Sequence, residues 1–485
     1  MISWIGAAFL VFGFLVLMRL FGLAEMSADV VHVAGGSFRV IRSSSVSDEA
    51  KETALQKDAK RLLRLFLLLT VGGAAAVLFP MGLLWGCDLL GWISLDSVFS
   101  VALSPIFLIV SSVLACLFFS SPRRKTRQQT EYSTLDRCLT RVAFKTYPAQ
   151  VALADLEDRL FAKRLSTCTA DRPVFITGLP RAGTTLLLEC LAKLPEFASH
   201  CYRDMPFVLV PCLWSRFSAR FQQVGTLRER AHGDGMLIGF DSPEALEEVL
   251  WKALWRQHYQ NDRITPWQDE AEDDVEFAEF FRSHMRKIIL LRSGENAPIA
   301  RYISKNNLNI ARTRVLHRLF PDSVVVVPFR QPLHHAASLL EQHRNFLRIH
   351  EEDAFASEYM RAIGHYDFGK NLCPVDFQSW LGELQSHDTE SLAFWLKYWV
   401  ATYRHLLTEA NDLYFLSYDK LCEEPATVLH GLADAIGSEN VDALVRAAST
   451  MHPPRAREMD TRSAAPSVVK EALSIYDSLR EAVQC

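Results

Sequence analysis

Three apolar runs dominate the first 120 residues of the chain, and short alternating segments follow them. Residues 2–23 are apolar apart from Ser3 and Arg19, residues 65–87 carry no charge, and residues 98–119 are also uncharged. Each run is about the twenty residues a helix needs to cross a hydrocarbon core, so the pattern predicts three transmembrane helices in a membrane region over 1–122. The first run lacks a basic leader and a small-residue cleavage site, which favours a span over a removable signal. Residues 27–60 are mixed and polar, as expected of a loop. Residues 123–170 read as a helical connector. Leu135, Cys138, Leu139 and Val142 recur at three- and four-residue spacing, Tyr147-Pro148 interrupts the pattern, and residues 151–165 resume it.

Beyond residue 171 the periods alternate between strand and helix. Strands are expected at 174–177, 299–304, 323–328 and 413–417. Helices are expected from the turn after the first strand through Leu194, and at 242–255, 308–320, 336–346, 395–409 and 468–482. The Val-rich run at 323–328 is of the kind buried on both faces of a parallel sheet. The alternation predicts an α/β domain with a parallel sheet flanked by helices over 171–460, followed by a helical tail over 461–485. The aromatic residues Trp395, Tyr398, Trp399 and Tyr403 sit at helical spacing and read as core.

Charge adds an orientation. Arg39, Arg42, Lys51, Lys57, Lys60, Arg61 and Arg64 lie between the first two runs, and Arg123, Arg124, Lys125 and Arg127 follow the third, whereas 88–97 has no Lys or Arg. By the positive-inside rule the N-terminus faces out and the catalytic domain is cytoplasmic. The net charge of −4 gives no electrostatic reason to propose nucleic acid as a partner. The ten cysteines include no C-x-x-C pair and fit reduced, structural thiols.

The chemistry is concentrated in two places. Residues 173–187 read PVFITGLPRAGTTLL, a buried strand, a glycine-bounded turn and a helix start, a geometry that presents backbone N–H groups to a phosphate. The spacing Gly178-x4-Gly183-Thr184-Thr185 matches the phosphate-loop pattern except that Thr184 replaces its lysine, and Arg181 supplies a cation inside the loop. The second place is the strand ending at Arg330 and the helix that carries Ser338. A nucleotide hydrolase would end such a strand in an aspartate for magnesium; an arginine binds an additional anion instead. His334 and His335 lack metal-ligand spacing and read as surface or nucleotide-adjacent groups.

The loop GLPRAGTT taken with Arg330-x7-Ser338 resembles the two nucleotide-binding signatures of the sulfotransferase superfamily, from Pro173 to about residue 460. The loop is most similar to the branch with G-x-P-R-[SA]-G-T-T, which includes the tyrosylprotein sulfotransferases. The resemblance implies 3′-phosphoadenosine 5′-phosphosulfate as co-substrate and no metal. Gly178, Pro180, Ala182, Gly183, Thr184 and Thr185 would then form the cradle of the 5′-phosphosulfate, and Arg181 would contact the transferring group. Arg330 and Ser338 would hold the 3′-phosphate. Lys305 resembles the family lysine before the next helix, and Tyr418 the tyrosine of a late segment near the nucleotide. Fixed cations suit this chemistry, because charge develops on the bridging and equatorial oxygens during transfer.

An acceptor hydroxyl or amine needs a general base. Where cytosolic members have Lys-Thr-His, this chain has Lys305-Asn306-Asn307. Two replacements are available. Asp204 stands where the tyrosylprotein branch has its base glutamate, after a short insertion. The alternative is the acidic run Glu244, Glu247 and Glu248, expected on neighbouring faces of one helix. Asp204 is the first choice and Glu247 the second. The acceptor expected from the anchor is a membrane-associated lipid, glycan or other molecule. The rival readings are a P-loop kinase or NTPase and a non-catalytic membrane protein that retains the nucleotide fold. Nothing in the sequence fixes the oligomeric state.

Overall fold

The computed structural model describes residues 2–21, 48–104, 107, 111, 140–141, 143–144, 146–218, 228–229, 237–267, 275–293, 300–384, 388–448 and 464–483. The expected connector positions Leu135, Cys138, Leu139 and Val142, and much of the loop at 27–60, lie outside these residues. Contacts divide the chain into two compact units, 1–129 and 130–485.

In the first unit, α1 (Ile2–Leu20) packs against α2 (Asp48–Leu89) and α3 (Leu95–Ala102). The approach to α3 is close enough that a Cβ on Gly6 would come within 2.9 Å of Val98 Cγ2. Within α2, Leu65–Leu89 is long and apolar enough to cross a membrane; the apolar part of α1, Gly6–Met18, is shorter. Of the third expected span, 98–119, the described part is mainly 98–104. Helix α3 begins at Leu95 and ends at Ala102, and a turn at Leu103 and Ser104 follows. Pro105 explains the stop, because a proline disfavours the α region at the residue before it. Most of 105–119 lies outside the described residues.

The second unit is an α/β domain. In chain order it comprises α4 (Tyr147–Leu165), β1 (Val174–Ile176), α5 (Thr184–Leu191), β2 (Phe197–Ala198), α6 (Pro211–Ser218), β3 (Arg228–Glu229), β4 (Leu237–Ile238), α7 (Glu248–Leu254), α8 (Val275–Arg292) and β5 (Arg301–Lys305). There follow α9 (Thr313–Leu319), β6 (Val324–Phe329), α10 (Pro332–Glu352), α11 (Ala354–Ala362), α12 (Leu392–Leu407), β7 (Tyr414–Ser417), α13 (Tyr418–Glu423), α14 (Pro425–Ile436), α15 (Val441–Ala448) and α16 (Pro466–Ala482). Five strands form a parallel sheet in the order β2-β5-β1-β6-β7, and β3 pairs antiparallel with β4. Val174 is in register with Ile303 on one side and Val324 on the other.

The two-residue period of β1 sorts its side chains between two cores. Phe175 joins Phe281, Tyr302 and Trp251 on one face, while Val174 and Ile176 join Leu187, Leu429 and Leu432 on the other. Trp395, Tyr398, Trp399 and Tyr403 are all buried, as their spacing on α12 predicts. Strand order reverses around β1: the chain first builds toward β2 and β5, then crosses to β6 and β7. In open α/β sheets the crevice at the carboxyl ends of the strands beside such a reversal is where ligands bind.

Two expected helices are shorter than their patterns. The helix over 242–255 begins only at Glu248, because the preceding backbone bonds to another segment. Tyr202 N donates to Ser242 O, Arg203 N to Phe240 O and Glu244 N to His200 O. The helix over 308–320 is a one-turn helix, Asn307–Ala311, and then α9, separated by Arg312 at φ −150° and ψ 26°. Helices α6, α8, α11, α14 and α15 add to the expected elements.

Candidate active site

Between β1 and α5 the chain makes the tight loop its glycines predict. Gly178 has φ +145° and stands 3.0 Å, at an added Cβ, from the Pro328 carbonyl of β6; Gly183 has φ +96° and immediately precedes α5. A Cβ at Gly183 would lie 2.5 Å from the Tyr418 ring, so only glycine lets this aromatic lie against the loop. Arg181 occupies the left-handed region at φ +73° although it is not glycine. Backbone strain of this kind costs about 1–3 kcal/mol and concentrates at functional sites.

The second motif converges on the first. Arg330 follows β6, and Ser338 lies on α10, where its Oγ accepts a hydrogen bond from Arg181 Nε at 3.4 Å. Arg330 is buried, its guanidinium carbon lies 5.7 Å from the centre of the Tyr418 ring, and its Nε has no hydrogen-bond partner among the described residues. Burial lowers its pKa and the nearby Arg181 charge lowers it further, against the opposing pull of Asp419. Two guanidiniums whose charges act on each other favour the binding of an anion beside them. Asp419 also accepts bonds from Gln331 N at 2.8 Å and from the Tyr476 hydroxyl at 2.9 Å, which ties α16 to the site.

A cleft opens where four segments meet: the loop with Arg181, Thr184 and Thr185; the end of β5 with Lys305 and Asn307; Glu244 and Ala245; and 365–368 with His365 and Asp367. Thr184 Oγ1 donates to Asn307 Oδ1 at 3.3 Å, and Asn307 Nδ2 donates to Asp367 Oδ2 at 3.0 Å. The structure thus brings together Arg181, Lys305, Thr184 and Thr185, with Arg330, Ser338 and Tyr418 beside them. Among the described residues, no group of three or more His, Cys, Asp or Glu side chains is arranged to hold a metal.

The two carboxylates favoured from sequence lie elsewhere. Asp204 is buried; its Oδ1 accepts from Arg292 Nη2 at 2.5 Å and its Oδ2 from Cys201 N at 3.0 Å, with His200 Nδ1 at 3.4 Å. Burial alone would raise its pKa, but the His200 contact and the Arg292 charge hold the carboxyl below the usual range. Glu247 is also buried and accepts from Asn309 Nδ2 at 2.8 Å, Trp251 Nε1 at 3.2 Å and Ser304 Oγ. Neither lines the cleft, whereas Glu244, which precedes Glu247 in the acidic run, does.

His335 is another departure. Its ring is fully buried; Nε2 donates to the Pro180 carbonyl at 2.8 Å, and Nδ1 accepts from Trp399 Nε1 at 3.2 Å. The neutral imidazole therefore braces the loop between β1 and α5. Burial pushes its pKa down to about 3; Arg330 and Arg181 reinforce the fall, against the Pro180 bond. A folded-state pKa below the unfolded value of about 6.5 gives a stability contribution that is full above that pH and lost as pH falls toward the folded value. His335→Gln is expected to lower stability by about 1–3 kcal/mol at about pH 7.5. The gap between its melting temperature and that of the wild type should narrow steadily on acidification from about pH 6.5 to about pH 4. A gap independent of pH would contradict this account.

The sulfotransferase family model matches residues 173–442, more than half of the chain and the whole stretch that carries the loop, the cleft and the Arg330 strand. The chain belongs to the sulfotransferase family, and its activity is sulfotransfer. Sulfotransferase STF9 from Mycobacterium avium is similar at 13% identity and a TM-score of 0.40, over 72% of this chain and 87% of that one. The sulfotransferase domain of the Synechococcus PCC 7002 olefin synthase is similar at 17% identity and a TM-score of 0.27, over 64% and 88% of the two chains. No curated protein matches the chain.

Proposed function

We propose that the protein is a membrane-anchored sulfotransferase that moves a sulfuryl group from 3′-phosphoadenosine 5′-phosphosulfate to a hydroxyl or amine of a membrane-associated acceptor. The observation that carries the donor assignment is the convergence of Arg181 and Arg330, two cations from different motifs, with Arg330 Nε buried and unsatisfied among the described residues. A donor with anionic groups at both its 3′ and 5′ positions brings negative charge to both guanidiniums.

In this reading the backbone around Gly178, Pro180, Ala182 and Gly183, with the Thr184 and Thr185 hydroxyls at the N-terminus of α5, cradles the 5′-phosphosulfate. Arg330 and Ser338 take the 3′-phosphate, and Tyr418 packs beside the nucleotide. Arg181 and Lys305, both lining the cleft, stabilise charge on the sulfuryl oxygens and on the bridging oxygen as it departs. The anchor rests on Leu65–Leu89, and the basic segments flanking the apolar runs support a cytoplasmic catalytic domain.

Purified protein in detergent is expected to bind adenosine 3′,5′-bisphosphate and to transfer labelled sulfuryl from the donor to material in a membrane lipid extract. Absence of bisphosphate binding would remove the donor. Transfer to water-soluble acceptors alone would remove the membrane acceptor.

A further inference from the structure

We propose that Asp367 is the general base of the transfer and that the cleft favours a neutral or amine-bearing acceptor over an acidic one. The proposal rests on the sulfotransfer reading above and deepens it.

Asp367 reaches the cleft on a segment fixed at both ends. Before it, the Ala362 carbonyl accepts from Tyr147 Oη at 2.8 Å and Lys252 Nζ at 3.1 Å, and Gly364 at φ +90° lies close against Glu248. After it, Gly369 N donates to His343 Nδ1 and Lys370 N to His350 Nδ1, each at 3.1 Å. Its carboxylate is then aimed by one residue. Asn307 donates to Asp367 through Nδ2 and accepts from Thr184 through Oδ1, so two hydrogen bonds join the base to the first residue of α5. In this proposal the proton goes to Asp367 Oδ1, because Oδ2 already accepts from Asn307.

Glu244 also lines the cleft, where its Oε1 accepts from the adjacent Ala245 N at 2.9 Å. In this proposal it shapes the acceptor wall, and Asp367, joined through Asn307 to Thr184, takes the proton. The cleft is polarised as a result, with Arg181 and Lys305 toward the donor and Glu244 and Asp367 on segments outside the donor loop. A carboxylated or sulfated acceptor would meet like charges there, whereas a hydroxyl or amine would meet an acceptor for its proton.

The step balances without another reactant. The acceptor oxygen or nitrogen forms a bond to sulfur while the bond from sulfur to the bridging oxygen breaks. Its electron pair stays on the 5′-phosphate of the departing bisphosphate, and the acceptor proton passes to Asp367.

The test compares wild-type protein with Asp367→Asn on two phenols, after measuring bisphosphate binding by each. 4-Methoxyphenol must lose its proton during transfer, whereas 4-nitrophenol is largely ionised at about pH 8. Removal of a general base is worth about 10²–10⁴-fold, so transfer to 4-methoxyphenol should fall by that much and transfer to 4-nitrophenol by less than about tenfold. Bisphosphate affinity should stay within about threefold, which shows that the variant is folded. Equal losses on both phenols, or no loss on either, would overturn the base assignment. Loss of bisphosphate binding by the wild type would remove the donor reading instead, so the two failures are distinguishable. For the acceptor class, Glu244→Gln should raise transfer to 4-hydroxybenzoate several-fold relative to 4-hydroxybenzamide; an unchanged ratio would overturn the charge argument.

Discussion

Arg181→Ala is expected to lower sulfuryl transfer by about 10²–10³-fold or more while the protein still folds. The magnitude follows from removing a preorganised charge at the position where negative charge develops. The geometry singles out this residue: Arg181 lines the cleft, donates to Ser338 Oγ at 3.4 Å, and holds a left-handed backbone at φ +73° that arginine adopts only at a cost. Arg181→Gly separates the two contributions. Glycine accepts that backbone without strain, so this variant should be at least as stable as Arg181→Ala and equally inactive. Bisphosphate affinity should fall much less than the rate under the proposed donor assignment, in which Arg330 holds the 3′-phosphate and loses a repelling neighbour. Transfer by either variant within about threefold of wild type would refute the role given to the loop cation.

The strand and loop that carry Arg181 were legible because their signals are local. A glycine at positive φ, a threonine at a helix start and a Val-rich buried strand each announce themselves within a few residues. The expected positions of Arg181, Thr184, Arg330 and Ser338 come together for that reason. Asp367 and Asn307 gave no such signal. Asn307 stood in the sequence only as the absence of a histidine, and Asp367 reaches it across 60 positions of chain. Asp204 looked catalytic by its place after the phosphate-loop helix, but Arg292, 88 positions later, claims its carboxylate. The acidic run does not lie on one helix because 240–244 bonds to the segment around Tyr202, which leaves Glu244 at the cleft and Glu247 and Glu248 in the interior. His335 is similar: its helix was legible, but its burial depends on Trp399 and Pro180, both remote in sequence. Local signals therefore place the loop and the Arg330 strand, and long-range contacts decide which carboxylates line the cleft.

Those long-range contacts make Arg312→Met the substitution with the largest expected effect on stability. Arg312 is almost wholly buried and pairs with Glu248, which is buried as well. Its Nε donates to Asn309 Oδ1 at 2.8 Å, and its guanidinium lies 4.1 Å from the ring centre of Trp251 and 4.8 Å from that of Trp267. Removing one member of a buried pair strands the other charge and costs about 3–5 kcal/mol. The consequences should reach the active site, because Glu248 also accepts from Asn306 Nδ2 at 2.7 Å, and Asn306 lies between Lys305 and Asn307. Arg312→Met should therefore lower the melting temperature by roughly 5–15 °C and reduce transfer in the fraction that stays folded. Glu248→Gln placed in the same protein removes the stranded charge and should recover part of the melting temperature, since a buried pair replaced on both sides is often tolerated. The control is informative because the glutamine side chain keeps an acceptor for Asn306, so recovery of transfer should follow recovery of stability. A single Arg312→Met variant within about 1 kcal/mol of wild type would mean that the buried pair does not hold the β5 end in place.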